Sequence, residues 1–281
     1  MRPTGAARLA GVVGDPIAHS LSPSLMSAWI EAAGIDAVYA PFQLARDDAA
    51  GFFRSMSRTA MAGLNVTLPH KQTALASSDR ASEAAQAIGA ANMLTFHDGE
   101  IHADNTDAAG FLNALKVAGV DPAIGPALVL GAGGAARAII HALVQAGAPE
   151  IRLSNRSRAN AEILARDLAP QARTHEWEAR DQALDEVALV VNATSLGLAG
   201  NPDLELDWRI APASAVAADS VYKPLETGFL RAASRRGLKT VDGLGMLIGQ
   251  ARPSFEAFFG VPPPSDVDAR TLLVSLLEPG R

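Results

Sequence analysis

The chain of 281 residues contains no cysteine at all. Disulfides, thiolate metal sites and cysteine nucleophiles are therefore excluded. A basic cluster is also missing, and the formal net charge is −6, which argues against nucleic-acid binding as the main task. The N-terminal stretch MRPTGAARLAGVVGDP has no secretory apolar core, and no apolar run is long enough to span a bilayer. Low-complexity tracts and internal repeats are absent too. The expectation is a cytoplasmic protein with no membrane partner. A length of 281 residues suits two domains with sizeable cores, and at 48% hydrophobic and 19% charged residues the composition is that of a soluble globular protein.

The stretch that organises the chain is Ala127 to Ala138, ALVLGAGGAARA. Ala127–Leu130 reads as a buried strand that runs into Gly131-Ala132-Gly133-Gly134, with a helix from Ala135 to Ala146. Strand, glycine turn and helix together set a pyrophosphate on a helix N-terminus. Gly131 permits the tight turn, Gly133 lets backbone N–H groups approach phosphate oxygens, and a small residue near Ala136 lets helix and sheet pack. A second strand, Glu150 to Leu153, ends at Ser154-Asn155-Arg156, where such folds read the cofactor's ribose. Asn155, Arg156, Ser157 and Arg158 occupy that loop, with no carboxylate before Glu162. A carboxylate there would repel a 2′-phosphate, whereas guanidinium grips it with paired hydrogen bonds, so the loop reads as an NADP site.

Upstream, Leu9–Val13 and Ala37–Phe42 read as strands, and Ser20-Leu21-Ser22-Pro23 precedes an apolar helix. Ser22 before Pro23 fits a helix N-cap, and the two hydroxyls equally fit a carboxylate-binding pair. A strand ends at Asn65-Val66-Thr67, and Lys71 opens the next helix, which places Thr67 and Lys71 at a strand end where ligands sit. A helix over Ala81–Gly89 leads to Asn92, a strand at Met93–Phe96, and a hairpin turn at His97-Asp98-Gly99-Glu100. The polar run Asp104-Asn105-Thr106-Asp107 precedes a helix at Ala108–Ala118; it can cap that helix, or hold Asp107 partly desolvated beside a lysine. Val187–Val191 and Ala215–Val221 read as strands, the first closing at Asn192-Ala193-Thr194-Ser195. A long helix runs from Gly243 through Phe259, and a last one spans Asp266 to Leu277. His97, His102 and Asp104 flank a turn and are not expected to hold a metal. His19 and His70 read as surface or packed residues.

Taken together these segments resemble the shikimate dehydrogenase family. The matching stretches are Ser20 to Pro23, Asn65 to Lys71, Gly89 to Asn92, Asn105 to Asp107, Gly131 to Ala135, Asn155-Arg156, Asn192 to Ser195, Val221 to Pro224 and Gly245 to Gln250. They fall in the family's order along nearly the whole chain. The resemblance implies a substrate-binding α/β domain over residues 1–107, completed by 243–281, a Rossmann-type NADP domain over 108–242, and a cleft between them. It implies reversible reduction of 3-dehydroshikimate to shikimate with NADPH, in aromatic amino-acid (chorismate) biosynthesis, without a metal. Lys71 and Asp107 match the family's catalytic pair. Ser20 and Ser22 match its carboxylate binders, and Thr67, Asn92, Asp107 and Gln250 the residues that hold the ring. Tyr222 and Gly243 match positions near the nicotinamide, and Tyr222 is counted with the substrate-binding residues. On the same footing, Gly131 to Ala135, Asn155 to Arg158, Thr194, Ser195 and Val221 are assigned to the cofactor. Met26-Ser27, Met93 and Asn160 depart from the family's usual residues. A quinate-oxidising enzyme using NAD is a close alternative, and a non-catalytic NADP-binding regulator a remoter one. Either a monomer or a homodimer is compatible with the sequence.

Overall fold

The computed structural model describes residues 2–277. The chain divides into two compact units, one formed by residues 2–107 with 247–277 and the other by 108–246. It crosses from one to the other within two helices, α5 (Asp107–Val117) and α9 (Leu244–Phe259).

In the first unit, β1 (Arg8–Gly14), α1 (Ser22–Ala33), β2 (Ala37–Gln43), α2 (Ala49–Met56) and β3 (Met61–Val66) follow one another, with β1 parallel to both β2 and β3. After α3 (Lys71–Ala76), β4 (Arg80–Ala81) and α4 (Glu83–Ile88) come β5 (Met93–His97) and β6 (Glu100–Asp104). These two form an antiparallel hairpin that extends the sheet to the order β2-β1-β3-β5-β6-β4. Its turn has Asp98 at φ 51° and Gly99 at φ 85°, the paired positive values that an Asp-Gly hairpin supplies. α9 covers the sheet: a Cβ added at Gly63 on β3 would lie 2.4 Å from the Phe258 ring, so only glycine admits the helix there. Trp29 of α1 meets Phe255 of α9 edge-on, ring centres 5.6 Å apart.

In the second unit, β7 (Ala127–Leu130), β8 (Ile151–Ser154), β9 (Arg173–His175), β10 (Leu189–Asn192), β11 (Val216–Asp219) and β12 (Lys239–Val241) form one wholly parallel sheet. Its order is β12-β11-β10-β7-β8-β9. Two strand series grow outward from β7 and its neighbour β10, the doubly wound arrangement whose ligands sit beyond the strands' C-terminal ends. α6 (Gly134–Gln145), α7 (Arg158–Leu168) and α8 (Gly228–Arg235) flank it. Strands β7, β10 and β11 are buried throughout, apolar as a parallel sheet requires except for Asn192 and Asp219 at the ends of β10 and β11. Trp208 and Phe229 close the core beside them.

Several sequence expectations shift. Ser22 is the first residue of α1 rather than its cap: Leu21 already has helical torsions, and no side chain caps the helix. Instead Ser20 Oγ accepts the Ser22 N–H at 3.3 Å. The helix expected from Ala81 starts at Glu83, because Ser82 caps it by accepting the Ala85 N–H, and Arg80–Ala81 pairs with β6 as a strand. The final helix, α10 (Ala269–Leu277), begins after Asp268, whose carboxylate takes the Thr271 N–H. β9 and a 3-10 helix over Trp177–Leu184 lie where no element was expected.

Candidate active site

In the first unit, β1 and β3 are parallel neighbours, so the segments following them emerge side by side. A Cβ at Gly14 would lie 2.4 Å from Thr67 Cγ2, and the Asp15 N–H donates to the Leu68 carbonyl at 3.0 Å. That contact puts the loop leading to Ser20 and Ser22 beside the one leading to Lys71. Ser22 is buried and Ser20 half-buried, at the start of α1. A single turn after β3, closed by the His70 N–H on the Thr67 carbonyl, sets Lys71 at the start of α3. His70 itself is fully buried, its Nε2 2.8 Å from the Leu44 carbonyl oxygen, and so packs rather than reaching outward. His19 is exposed.

Lys71 Nζ donates to Asp107 Oδ2 at 2.5 Å, with side-chain exposures of 15% and 7%. Attraction in such a dry setting is far stronger than at a surface, and neither charge is easily spared its partner. Asp107 opens α5, where its backbone N–H is taken by Asn105 Oδ1. Its other oxygen, Oδ1, accepts from Asn92 Nδ2 at 2.9 Å. The second Nδ2 proton of Asn92 is shared between Thr106 Oγ1 (3.0 Å) and Gln250 Oε1 (3.3 Å), and its own Oδ1 takes the Thr106 N–H at 2.8 Å. Lys71, Asn92, Asp107 and Gln250 therefore form one connected group. Among the described residues no side-chain hydrogen bond joins Thr67, Ser20 or Ser22 to the pair.

Two members of this network were not singled out as site residues from sequence. Thr106 bridges Asn92 and the Gln250 carbonyl, to which its hydroxyl donates at 3.0 Å. Asn65, at the buried end of β3, accepts from Tyr39 Oη at 2.7 Å and donates to Ser254 Oγ at 2.8 Å. Burial holds the Tyr39 phenol well above its ordinary range, so it acts as a neutral donor. An asparagine inside an otherwise apolar strand was the available signal for Asn65.

In the second unit, Gly131 follows β7 at φ 115°, and a Cβ there would lie 2.7 Å from the Ala193 carbonyl oxygen. Only glycine fits such a turn. Gly133 caps α6 with extended torsions, and a Cβ placed on it would meet nothing within 4 Å, while Ala136 is fully buried against the sheet. Open space over a helix N-terminus is what a pyrophosphate needs. Ala132, Gly134 and Ala135 complete the turn.

At the end of β8, Asn155 Nδ2 donates to the Ser157 carbonyl and Ser157 precedes α7. Arg158 is already engaged: it donates to Glu162 Oε1 at 2.7 Å and to Glu176 Oε1. Arg156 is exposed and forms no ion pair or hydrogen bond among the described residues, so its guanidinium is available to an anion. The absence of a carboxylate from Asn155 through Ala161 and the unengaged Arg156 fit a cofactor bearing a 2′-phosphate. Thr194, Ser195 and Val221 lie in the segments after β10 and β11; Tyr222 is half-buried in the latter. Gly243, just before α9, has no room for a side chain, since a Cβ would lie 2.6 Å from the Ser220 carbonyl oxygen.

Among the described residues no group of three or more histidine, aspartate or glutamate side chains could hold a metal, and no helix is long and apolar enough to cross a membrane. His102 sits 3.0 Å from Glu100 and against the His97 ring.

A doubly wound parallel sheet with a glycine turn leaving its first strand makes this a Rossmann-type nucleotide-binding α/β protein, carrying in addition a buried lysine–carboxylate pair. Residues 12–94 match the family described as the shikimate dehydrogenase substrate binding domain, residues 121–198 the shikimate / quinate 5-dehydrogenase family, and residues 243–273 the shikimate 5′-dehydrogenase C-terminal domain. The chain belongs to the shikimate dehydrogenase family. It is 53% identical over 277 residues to a shikimate dehydrogenase (NADP(+)) of Maricaulis maris, covering 99% of each chain, and 54% identical over 265 residues to that of Acidiphilium cryptum, covering 94% of each. Among solved structures it resembles the shikimate 5-dehydrogenase of Thermus thermophilus in complex with NADP(H) and shikimate. That likeness has a TM-score of 0.83 and 38% identity, covering 94% of this chain and 97% of the other.

Proposed function

We propose that this chain catalyses the reversible, NADP(H)-dependent reduction of 3-dehydroshikimate to shikimate. The observation that carries the reading is the desolvated Lys71–Asp107 pair, 2.5 Å apart. Reducing a ketone converts its oxygen to an alkoxide, which needs a stabilising charge and a proton in a site short of water. The Lys71 ammonium supplies both: it stabilises the growing negative charge and then gives the oxygen its proton, leaving a neutral amine. In the reverse direction that amine takes the proton from the alcohol. Asp107 is held by Asn92 and its own helix start, so it fixes where the ammonium points rather than following it. NADPH, when bound, supplies the hydride that reaches the ketone carbon.

Ser20 and Ser22 take the substrate carboxylate as neutral donors, and Thr67, Asn92, Asp107 and Gln250 bind the ring hydroxyls. In the other unit, Gly131 to Ala135 receive the pyrophosphate at the start of α6, and Arg156 takes the 2′-phosphate. Thr194, Ser195, Val221, Tyr222 and Gly243 line the nicotinamide end. The relatives' names favour NADP over the NAD-dependent quinate alternative.

The test is the purified protein mixed with shikimate and NADP, followed by the absorbance of reduced nicotinamide. A rise that needs both supports the reading. A rise only with quinate and NAD, or none with either pair, overturns it.

A further inference from the structure

Asp219 is the last residue of β11, opposite Asn192 in the register with β10, and only 5% exposed. Its Oδ1 accepts from Asn192 Nδ2 (3.0 Å) and from the Val221 N–H (2.8 Å), and its Oδ2 accepts from the Thr227 hydroxyl (2.7 Å). Each of these donors governs a further segment. Asn192 Oδ1 takes both the N–H and the hydroxyl of Thr194, and its Nδ2 also donates to the Leu196 carbonyl. Thr227 caps α8 by accepting the Leu230 N–H. One carboxylate thus ties together the segment after β10, the segment after β11 and the start of α8.

All three donors are neutral. The charged and titratable groups on the surrounding elements are Asp203 beside the start of α8, Tyr222, Lys223 and Glu226 in the segment after β11, Arg231 and Arg235 on α8, Lys239 on β12 and Asp242 after it. None of the four cations among them, Lys223, Arg231, Arg235 and Lys239, forms an ion pair with Asp219. Burial pushes its carboxyl up to about 6, against the pull of the three hydrogen bonds. A buried acid without a cation costs stability, and such costs collect where a site requires them.

We propose that Asp219 is a positioning residue for the cofactor, whose ionised carboxylate fixes the two segments carrying Thr194, Ser195, Val221 and Tyr222. The inference rests on the reading that those segments hold NADP(H). Protonated on Oδ2, the acid would donate to Thr227 rather than accept from it, which displaces the Thr227 hydroxyl proton from its acceptor, and the two bonds accepted by Oδ1 lose the assistance of the negative charge. NADPH binding by the wild-type protein therefore weakens as pH falls through about 6.

The experiment titrates NADPH by fluorescence into wild-type protein, D219N and R156A across that pH range. At neutral pH D219N should bind roughly ten- to a hundredfold more weakly, as expected for losing hydrogen bonds to a charged acceptor. Its affinity should also vary less with pH than the wild type's. The cofactor's own phosphate titrates in the same range, so the difference between the two proteins is the quantity read. If R156A weakens binding while D219N matches wild type in affinity and pH profile, the role of Asp219 fails and the cofactor site stands. If neither variant weakens binding, the cofactor-site reading itself fails. A second measurement serves even if D219N does not fold. Exchange protection of the Val221 amide in the wild-type protein, corrected for intrinsic rate, should drop below pH of about 6; constant protection overturns the proposal.

Discussion

Asn92 and Asp107 are 15 positions apart, yet Asn92 Nδ2 lies 2.9 Å from Asp107 Oδ1 while Lys71 takes the other oxygen. Three elements converge to make this contact. The Asn92 backbone joins β3 to β6 through the Val66 N–H and the Asp104 carbonyl, and Ala91 donates to the Lys71 carbonyl. The carboxylate is therefore fixed from two sides before any substrate arrives, which is the preorganisation that stabilising a developing charge requires.

Lys71→Ala tests that arrangement. It should lower kcat by about 10²- to 10⁴-fold, with substrate affinity little changed, because the ammonium acts on charge that grows during the reaction. It also strands Asp107 in a dry site with only neutral donors, so thermal unfolding should move to lower temperature. Steady-state kinetics and a melting curve check both; near-normal turnover would remove Lys71 from the chemistry.

Gly131 and Gly133, in the turn after β7, separate folding from binding. Gly131→Ala places a Cβ 2.7 Å from the Ala193 carbonyl oxygen at φ 115°, so it should destabilise the unit by about 1–3 kcal/mol. Gly133→Ala meets nothing within 4 Å, and its φ of −87° suits alanine. It should melt at or slightly above the wild-type temperature. The added methyl nevertheless enters the space reserved for phosphate, so NADPH affinity should fall. Melting curves with NADPH titrations decide this, and unchanged affinity in Gly133→Ala would place the pyrophosphate elsewhere.

How legible the molecule was depends on the range over which each feature is encoded. The glycine turn at Gly131 and the hairpin at Asp98-Gly99 are local: a few residues fix torsions that few others adopt. β9 is three residues, Arg173-Thr174-His175, with no apolar alternation, and it exists because β8 offers an edge to pair with. Ser22 has the sequence of an N-cap, but Leu21 adopts helical torsions and moves the start back by one residue. Arg156 and Arg158 look equivalent in sequence. Glu176, brought near by the fold, engages only the second, and no spacing rule predicts that contact.

From that difference follows an asymmetric outcome. Arg156→Ala should raise the KM for NADPH far more than for NADH, since only the former carries the 2′-phosphate. Arg158→Ala should have a smaller effect on the same ratio, because its guanidinium is shared between Glu162 and Glu176. Kinetics of both variants with both nicotinamides provide the check; equal effects of Arg156→Ala on NADPH and NADH would refute the phosphate contact.

Asp219 carries a consequence for stability that runs opposite to its proposed role in binding. Its folded value, about 6, lies above the ordinary carboxylate value of 3.8, so the folded protein holds the proton more tightly than the unfolded chain does. The resulting contribution to stability is complete below the ordinary value and is lost as pH rises through about 6. D219N has no such proton. Whatever its absolute stability, the melting temperature of wild type relative to D219N should decline across this interval and level off above it. A relative melting temperature that rises with pH would mean that the carboxylate is favoured by the fold, and that no stability is given up to keep it ionised at neutral pH.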